Sequence, residues 1–360
     1  MQLGISVIIC CHNSAQELPK TLEHLANQQV ADDFPWEVIV IDNASKDGTG
    51  QVALDCWPDQ KADQLRVVHE PKLGLINARY RGLAEAKYEI LSFIDDDNWV
   101  CPDWVSTASA VMSQYPDVGA CGGHNIPEFD GEKPWWFDLS GRGYAIGAQG
   151  PEEGGDITWT RGRLFGAGLT LRKTAWQKLL DDGFRSLLVG CKGKALNRGE
   201  DTELCFALVL AGWRLRYEPA LKLRHFLTAD RLHWYYLRKL RRGGGRATLG
   251  FDPYRFALQK CGHPNQISFW WNAHTSSTEQ TYEEIWRQQF VVAVRELFQQ
   301  PFKLVKSLIS PMEGDVSALR VERRIGRFLE LLRERESYKL NLQTVQEAAW
   351  KTEFRTVNEE

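Results

Sequence analysis

Residues 90–99 read Ile90-Leu91-Ser92-Phe93-Ile94-Asp95-Asp96-Asp97-Asn98-Trp99. A largely apolar run of strand length ends abruptly in three consecutive carboxylates, which puts Asp95, Asp96 and Asp97 at a strand's carboxyl end. Like charges this close raise one another's pKa unless a cation neutralises them, and hard oxygen ligands suit Mg²⁺ or Mn²⁺. A solvated acidic turn has the same composition. The triplet alone leaves both readings open, and the flanking sequence decides between them.

Upstream, the chain repeats one pattern. Gly4 to Cys11 reads as a buried strand followed by a helix start at His12-Asn13-Ser14, with Leu18, Leu22 and Leu25 at helical spacing. Trp36 to Ile41 is a second strand, ending in Asp42 and leading through Asn43-Ala44-Ser45-Lys46-Asp47-Gly48-Thr49 into a second helix. Leu65 to His69, a loop to Gly74 and a helix from Leu75 to Ala86 complete a third unit. Such alternation predicts a parallel sheet, and ligands of such sheets sit beyond the carboxyl ends of the strands, where Asp42 and Asp95 would lie. Neither a Gly-x-Gly-x-x-Gly turn after the first strand nor a Gly-x-x-x-x-Gly-Lys-Ser/Thr loop occurs, which disfavours a dinucleotide cradle and a P-loop.

Composition narrows the class further. The 360 residues are 43% hydrophobic and 11% aromatic, enough for a packed core and for one large domain with an appendage or for two domains. The net charge of −3 is uneven: residues 226–360 carry 21 Lys and Arg against 16 Asp and Glu, leaving 23 against 31 in residues 1–225. An acidic front argues against nucleic acid as a partner. The eight cysteines (Cys10, Cys11, Cys56, Cys101, Cys121, Cys191, Cys205 and Cys261) contain no Cys-x-x-Cys pair, so most are expected to be small core residues in a reducing cytoplasm. No signal-like segment and no apolar run of 18 residues is found, so neither export nor membrane spanning is expected.

Downstream, residues 119–168 are rich in Gly, Pro and Trp and read as a long shaped loop region, with Trp135-Trp136-Phe137 either stacking on a ligand or plugging the core. Gly166 to Arg172 is a strand and Thr174 to Asp181 a helix; Gly199-Glu200-Asp201 opens another helix, whose dipole alone would explain two acidic residues in its first turn. Arg214 to Tyr217 and Leu221 to Arg224 are short strands before His225. From Phe226 the character changes. Trp234-Tyr235-Tyr236 and Arg238-Lys239-Leu240-Arg241-Arg242 mix aromatics with positive charge, as in a helix that lies on an anionic membrane surface or grips phosphates, and equally as in a packing helix. Phe290 to Ile309, interrupted by Pro301, and Val321 to Arg335 read as further helices.

Val38 to Thr49, Gly74 to Arg79, Phe93 to Asp97, Gly199 to Asp201 and Arg224-His225 follow one another in an order that resembles family 2 glycosyltransferases, of the bacterial polysaccharide-biosynthesis type. The resemblance covers roughly residues 4–228. It implies an α/β protein of the GT-A fold, with a mostly parallel central sheet and flanking helices in a catalytic domain at 1–228, and a mainly helical C-terminal extension at 229–360. It also implies residue roles. Asp42, with the backbone of Cys11, His12 and Asn13, would recognise the nucleotide base, favouring a UDP-sugar; Arg79 would lie near the nucleotide or its diphosphate. Asp95 and Asp97 match the ends of an Asp-x-Asp motif that holds ribose and a divalent cation, Mn²⁺ or Mg²⁺, with Asp96 beside them at the nucleotide. Asp201 matches the general base, oriented by Glu200, and His225 a late metal or diphosphate contact. Two departures stand out: Cys10-Cys11-His12-Asn13 replaces the usual Pro-Thr-Tyr-Asn type segment, and Asn98, not a fourth acid, follows the aspartates.

The implied activity is an inverting, metal-dependent hexosyl transfer from a nucleoside diphosphate sugar to a hydroxyl of a glycan or lipid-linked glycan, in exopolysaccharide or cell-surface polysaccharide synthesis. Departure of a nucleoside diphosphate builds negative charge that a cation stabilises, and an attacking hydroxyl needs a base. Trp135, Trp136, Arg238 and Arg241 are the candidate acceptor contacts, and the basic stretch would give peripheral contact with the inner face of a membrane. Two other classes compete. A non-catalytic scaffold that binds nucleotide sugar or glycan would be free to lose Asp201, and a sugar-1-phosphate nucleotidyltransferase would carry a Gly-rich basic loop after its first strand, which is missing here.

Overall fold

The computed structural model describes residues 4–139, 141–188, 199–260, 281–309 and 312–352; the expected core positions Cys191 and Cys261 lie outside them. Strands β1 (Ile5–Cys11), β2 (Trp36–Asp42), β3 (Leu65–His69) and β4 (Ile90–Ile94) run parallel in the order β3-β2-β1-β4. They are followed in the chain by β5 (Asn98–Val100), β6 (Val118–Phe129), β7 (Gly155–Asp156), β8 (Leu169–Arg172) and β9 (Arg214–Leu227). These extend the sheet beyond β4 in the order β8-β6-β9-β5, with β7 on β9.

The expected mostly parallel sheet is corrected to a mixed one. β4–β8, β6–β8, β5–β9 and β7–β9 pair antiparallel, as many pairings as the parallel ones β1–β2, β1–β4, β2–β3 and β6–β9. The aspartates bear on one of these pairings, that of β5. Asp95 to Asp97 are the whole connection between β4 and β5, and a parallel neighbour needs a crossover of a dozen residues or more. β5 therefore leaves β4 for the far edge and joins β9 head to tail. The loop region expected at 119–168 also begins as strand β6, and the two short strands expected at 214–224 are one long strand, β9.

Strand periodicity sorts the core. Ile8, Ile39, Ile41, Leu91 and Phe93 face one side, against α3 (Leu75–Glu85), α5 (Lys173–Asp181) and α6 (Glu200–Leu210). Ile5, Val7, Ile9, Val38 and Val40 face the other, against α1 (Leu18–Ala26), α2 (Thr49–Cys56) and α4 (Trp104–Gln114). Burial on both faces is why these strands read as unbroken apolar runs. Cys11, Cys121 and Cys205 are core residues, while Cys56 is exposed.

The helices that follow are α7 (Trp234–Lys260), α8 (Tyr282–Phe298), α9 (Pro301–Ile309), α10 (Val316–Arg333) and α11 (Arg335–Gln346). Phe251, Tyr254, Ala257 and Leu258 of α7 join the same hydrophobic cluster as α6. Glu203, buried in α6, accepts from Tyr254 Oη at 2.7 Å, so a polar bond runs through that contact. Among the described residues no helix is long and apolar enough to cross a membrane.

α7 and α10 cross with almost no space between backbones. A methyl group on Gly245 would overlap the Arg323 carbonyl, and one on Gly326 would overlap the Arg242 carbonyl. Buried Glu322 of α10 pairs with Arg238 and Arg242 of α7 at 2.5 and 2.6 Å. Gly326→Ala should therefore destabilise the chain, by about 1–3 kcal/mol or more as an overpacked contact. Urea unfolding of the variant beside wild type checks this; an unchanged midpoint would contradict the close crossing.

Candidate active site at the carboxyl ends of the strands

The loops after β1, β2 and β3 are stitched into one surface. Asn43 does most of this: its backbone N–H donates to the Cys11 carbonyl at 2.8 Å, its own carbonyl accepts from His12 Nδ1 at 2.7 Å, and its Nδ2 donates to the Glu70 and Lys72 carbonyls. Gly74 N–H then donates to Asn43 Oδ1 at 2.8 Å. Asn13 and Ala44 both adopt left-handed backbone, which for Ala44 costs of order 1–2 kcal/mol. The turn continues into α2, where Asp42 Oδ1 accepts from Ser45 N–H at 3.2 Å. Gly50 gives the other oxygen room, since a Cβ there would stand 3.1 Å from Asp42 Oδ2. His12 and Asn13 are exposed at this rim, whereas the Cys11 side chain points into the core.

The three aspartates occupy three different environments. Ser14 Oγ donates to Asp96 Oδ2, and burial, reinforced by Asp97, pushes the Asp96 carboxyl up to about 7. Asp95 is likewise raised by burial and by Asp97, with Arg79 opposing. Burial works against Asp97 too, yet His225 and Arg231 outweigh it and hold its carboxyl at about 2. Sheet register explains His225: β5 pairs with β9 so that Asn98 lies opposite His225, and Phe226 N–H donates to the Asp97 carbonyl at 2.8 Å. His225 Nε2 then stands 3.4 Å and Arg231 Nη1 2.6 Å from Asp97 Oδ2, while Asn98 Nδ2 donates to Oδ1.

Arg79 is a buried cation. Burial opposes its charge, but Glu200, Asp201 and Asp95 together more than compensate. It therefore lies between the aspartate triplet and the first turn of α6. Gly166 keeps this space open, because a Cβ there would meet Arg79 Nη2 at 2.9 Å and Asp201 Cβ at 3.4 Å. Glu200 is buried with Oε1 unpartnered among the described residues, and its carboxyl is raised chiefly by burial. Arg163, whose charge burial disfavours, has Asp201 as its main compensating neighbour.

Asp42, Arg79, Asp95, Asp96, Asp97, Glu200, Asp201 and His225 thus share the end of the sheet or the first turn of α6. The acceptor candidates are scattered. Trp135 is 69% exposed, but Trp136 is wholly buried, donating from Nε1 to Glu313 Oε1 at 2.5 Å, and cannot stack on a ligand. Arg238 is spent on Glu322 and the Ser307 carbonyl, and Arg241 lies against Gly143. Arg231, Ser14, Asn43 and Arg163 are site residues the sequence did not single out. For Arg231 no local signal exists, because its partner is 134 residues away.

A divalent cation is chemically compatible with this donor set. Among the described residues no three His, Cys, Asp or Glu side chains gather as a cage. Mg²⁺, however, is commonly held by one or two carboxylates together with substrate phosphates, and Asp95 and Asp97 supply that number.

Residues 6–168 match the family model described as Glycosyl transferase family 2. The chain is 26% identical over 118 residues to the putative glycosyltransferase EpsH of Bacillus subtilis, covering 33% of each chain. It is 28% identical over 144 residues to the glycosyltransferase GlyG of Streptococcus pneumoniae, covering 39% of this chain and 46% of that one. The chain therefore spans between a third and a half of the length of these curated relatives. Among solved structures, S. aureus TarS 1-349 in complex with UDP aligns over 93% of this chain and 92% of that one, at 16% identity and a TM-score of 0.46.

The contrast between Asp96 and Asp97 has a pH signature. A carboxyl raised to about 7 contributes stability that is full below about pH 4, its unfolded pKa, and lost as pH rises to 7; one held at about 2 contributes stability present above pH 4 and lost as pH falls toward 2. Asp96→Asn should therefore match wild type in Tm near pH 4 and exceed it increasingly up to pH 8, without added divalent cation. Asp97→Asn should fall below wild type at pH 7. Thermal melts across pH 4–8 read both, and a pH-independent Asp96→Asn difference would contradict the assignment.

Proposed function

We propose that the chain, whose residues 6–168 match the model of glycosyl transferase family 2, is an inverting, metal-dependent enzyme of that family. It moves a sugar from a nucleoside diphosphate donor, UDP favoured, to a glycan hydroxyl in polysaccharide synthesis. The observation that supports this reading is that Arg79 Nη2 and Asp201 Cβ face one space, 2.9 and 3.4 Å from where a Gly166 side chain would begin, with Glu200, Asp201 and Asp95 as the charges that favour the Arg79 guanidinium. In this reading the GT-A catalytic domain is 1–228 and the helical extension 229–360.

The roles follow from what each group can do. Asp42 and the stitched loops around His12, Asn13 and Asn43 form the rim where a base and ribose would be held. A divalent cation bound by Asp95 and Asp97 would neutralise charge on the departing diphosphate. Asp201, flanked by Arg79 and Arg163, takes the proton of the attacking hydroxyl; Glu200 and Arg79 fix its position. Gly166 leaves the reacting atoms room beside it. One base and one displacement invert the anomeric centre, with oxocarbenium character in the transition state. A lipid-linked acceptor is consistent with this chemistry, whereas attachment to a membrane through residues 234–246 would have to do without Arg238 and Arg242, which both turn inward onto Glu322.

Two substitutions separate the roles. Asp201→Asn should lower transfer by roughly 10²–10⁴-fold while leaving UDP affinity unchanged by calorimetry; wild-type turnover would remove the base assignment. Asp97→Ala should abolish the gain in UDP affinity that Mn²⁺ gives wild type. The cation assignment fails if Mn²⁺ makes no difference to either protein.

A further inference from the structure

Beside the site lies a cavity of about 580 Å³, within the size range of small-ligand pockets, between the start of α7 and the residues preceding α10. Asp230, His233, Trp234, Tyr235, Lys239 and Glu313 line it. Its walls combine an open aromatic face with hydrogen-bonding groups of both signs. Tyr235 is 65% exposed with Lys239 Nζ 4.5 Å from its ring centroid. Trp234 is nine-tenths buried, yet its indole N–H has no hydrogen-bond partner among the described residues.

The cavity is built rather than incidental. Trp136 fixes the Glu313 carboxylate through one oxygen, and Trp135 lies against Gly314, where a side chain would overlap its ring, so two consecutive tryptophans pin the rim from below. The wall also reaches the catalytic centre. Tyr236, a further lining residue, is an electrostatic neighbour of Arg231, whose guanidinium holds Asp97. Two carboxylates against one lysine make the cavity inhospitable to a phosphate. A pyranose, by contrast, offers a C–H face to an aromatic ring and hydroxyls to carboxylates and an ammonium.

We propose that this cavity binds an uncharged saccharide unit of the acceptor, with Tyr235 as its stacking platform and Asp230, Lys239 and Glu313 as hydroxyl partners. This rests on the glycosyltransferase reading above. It replaces the acceptor contacts expected at Trp136, Arg238 and Arg241, which are occupied within the protein.

Saturation-transfer NMR of the full chain with cellobiose, lactose, N,N′-diacetylchitobiose and glucose 6-phosphate, each with and without UDP and Mn²⁺, tests the proposal. At least one uncharged disaccharide should bind, and Tyr235→Ala and Lys239→Ala should each weaken it tenfold or more while UDP affinity by calorimetry stays at the wild-type value. UDP binding with no disaccharide binding, disaccharide binding indifferent to both substitutions, or a preference for glucose 6-phosphate would each overturn it. Disaccharide binding lost in both variants, in a protein that fails to bind UDP, would support the cavity and remove the nucleotide-sugar reading instead.

Discussion

Three adjacent, partly buried carboxylates at the end of a strand are the constraint around which this chain is arranged. Bringing them out of water is unfavourable, and their mutual repulsion adds to the cost. Each escapes differently. Asp96 accepts a hydroxyl hydrogen bond from Ser14 and is held toward its neutral form. Asp97 keeps its charge because His225 and Arg231 converge on one of its oxygens. Asp95 shares Arg79 with the first turn of α6. Compensating groups therefore come from α1's approach, from α3, from β9 and from the turn before α7, so satisfying three residues organises most of the N-terminal two thirds of the chain.

How far this was legible depends on the range of the interactions. Strands β1 to β4 announced themselves because a parallel strand buried on both faces reads as an unbroken apolar run, and the helices between them because Leu18, Leu22 and Leu25 recur at helical spacing. The reversal after β4 did not, although the short link Asp95–Asp97 contained it: pairing of β5 with β9 joins residues more than a hundred positions apart. The aromatic pair shows the same limit. Trp135 and Trp136 are neighbours of one type, yet one is exposed and the other wholly buried, a distinction fixed by Glu313 and Gly314 far along the chain.

Charge patterns misled for a related reason. Arg238 and Arg242 stand one helical turn apart, the spacing of a solvated basic stripe, and their partner Glu322 lies on another helix. Local sequence gives the spacing of the arginines but not what the stripe faces. Arg231 is the counterpart: an unremarkable residue in a short turn becomes a site residue because β9 delivers it to Asp97. Tyr254 on Glu203 ties the helical extension to α6 in the same way, so the helix carrying Asp201 is supported from both sides.

Asn43 has a consequence for the free energy of association. Its backbone and side chain together hold the loops after β1, β2 and β3 through five hydrogen bonds. Fixing one residue's backbone costs about 1–2 kcal/mol of conformational entropy. Here that ordering is completed when the chain folds, so a ligand arriving at these loops meets a surface already shaped. The cradle is preorganised, and less of the interaction energy is consumed in immobilising it.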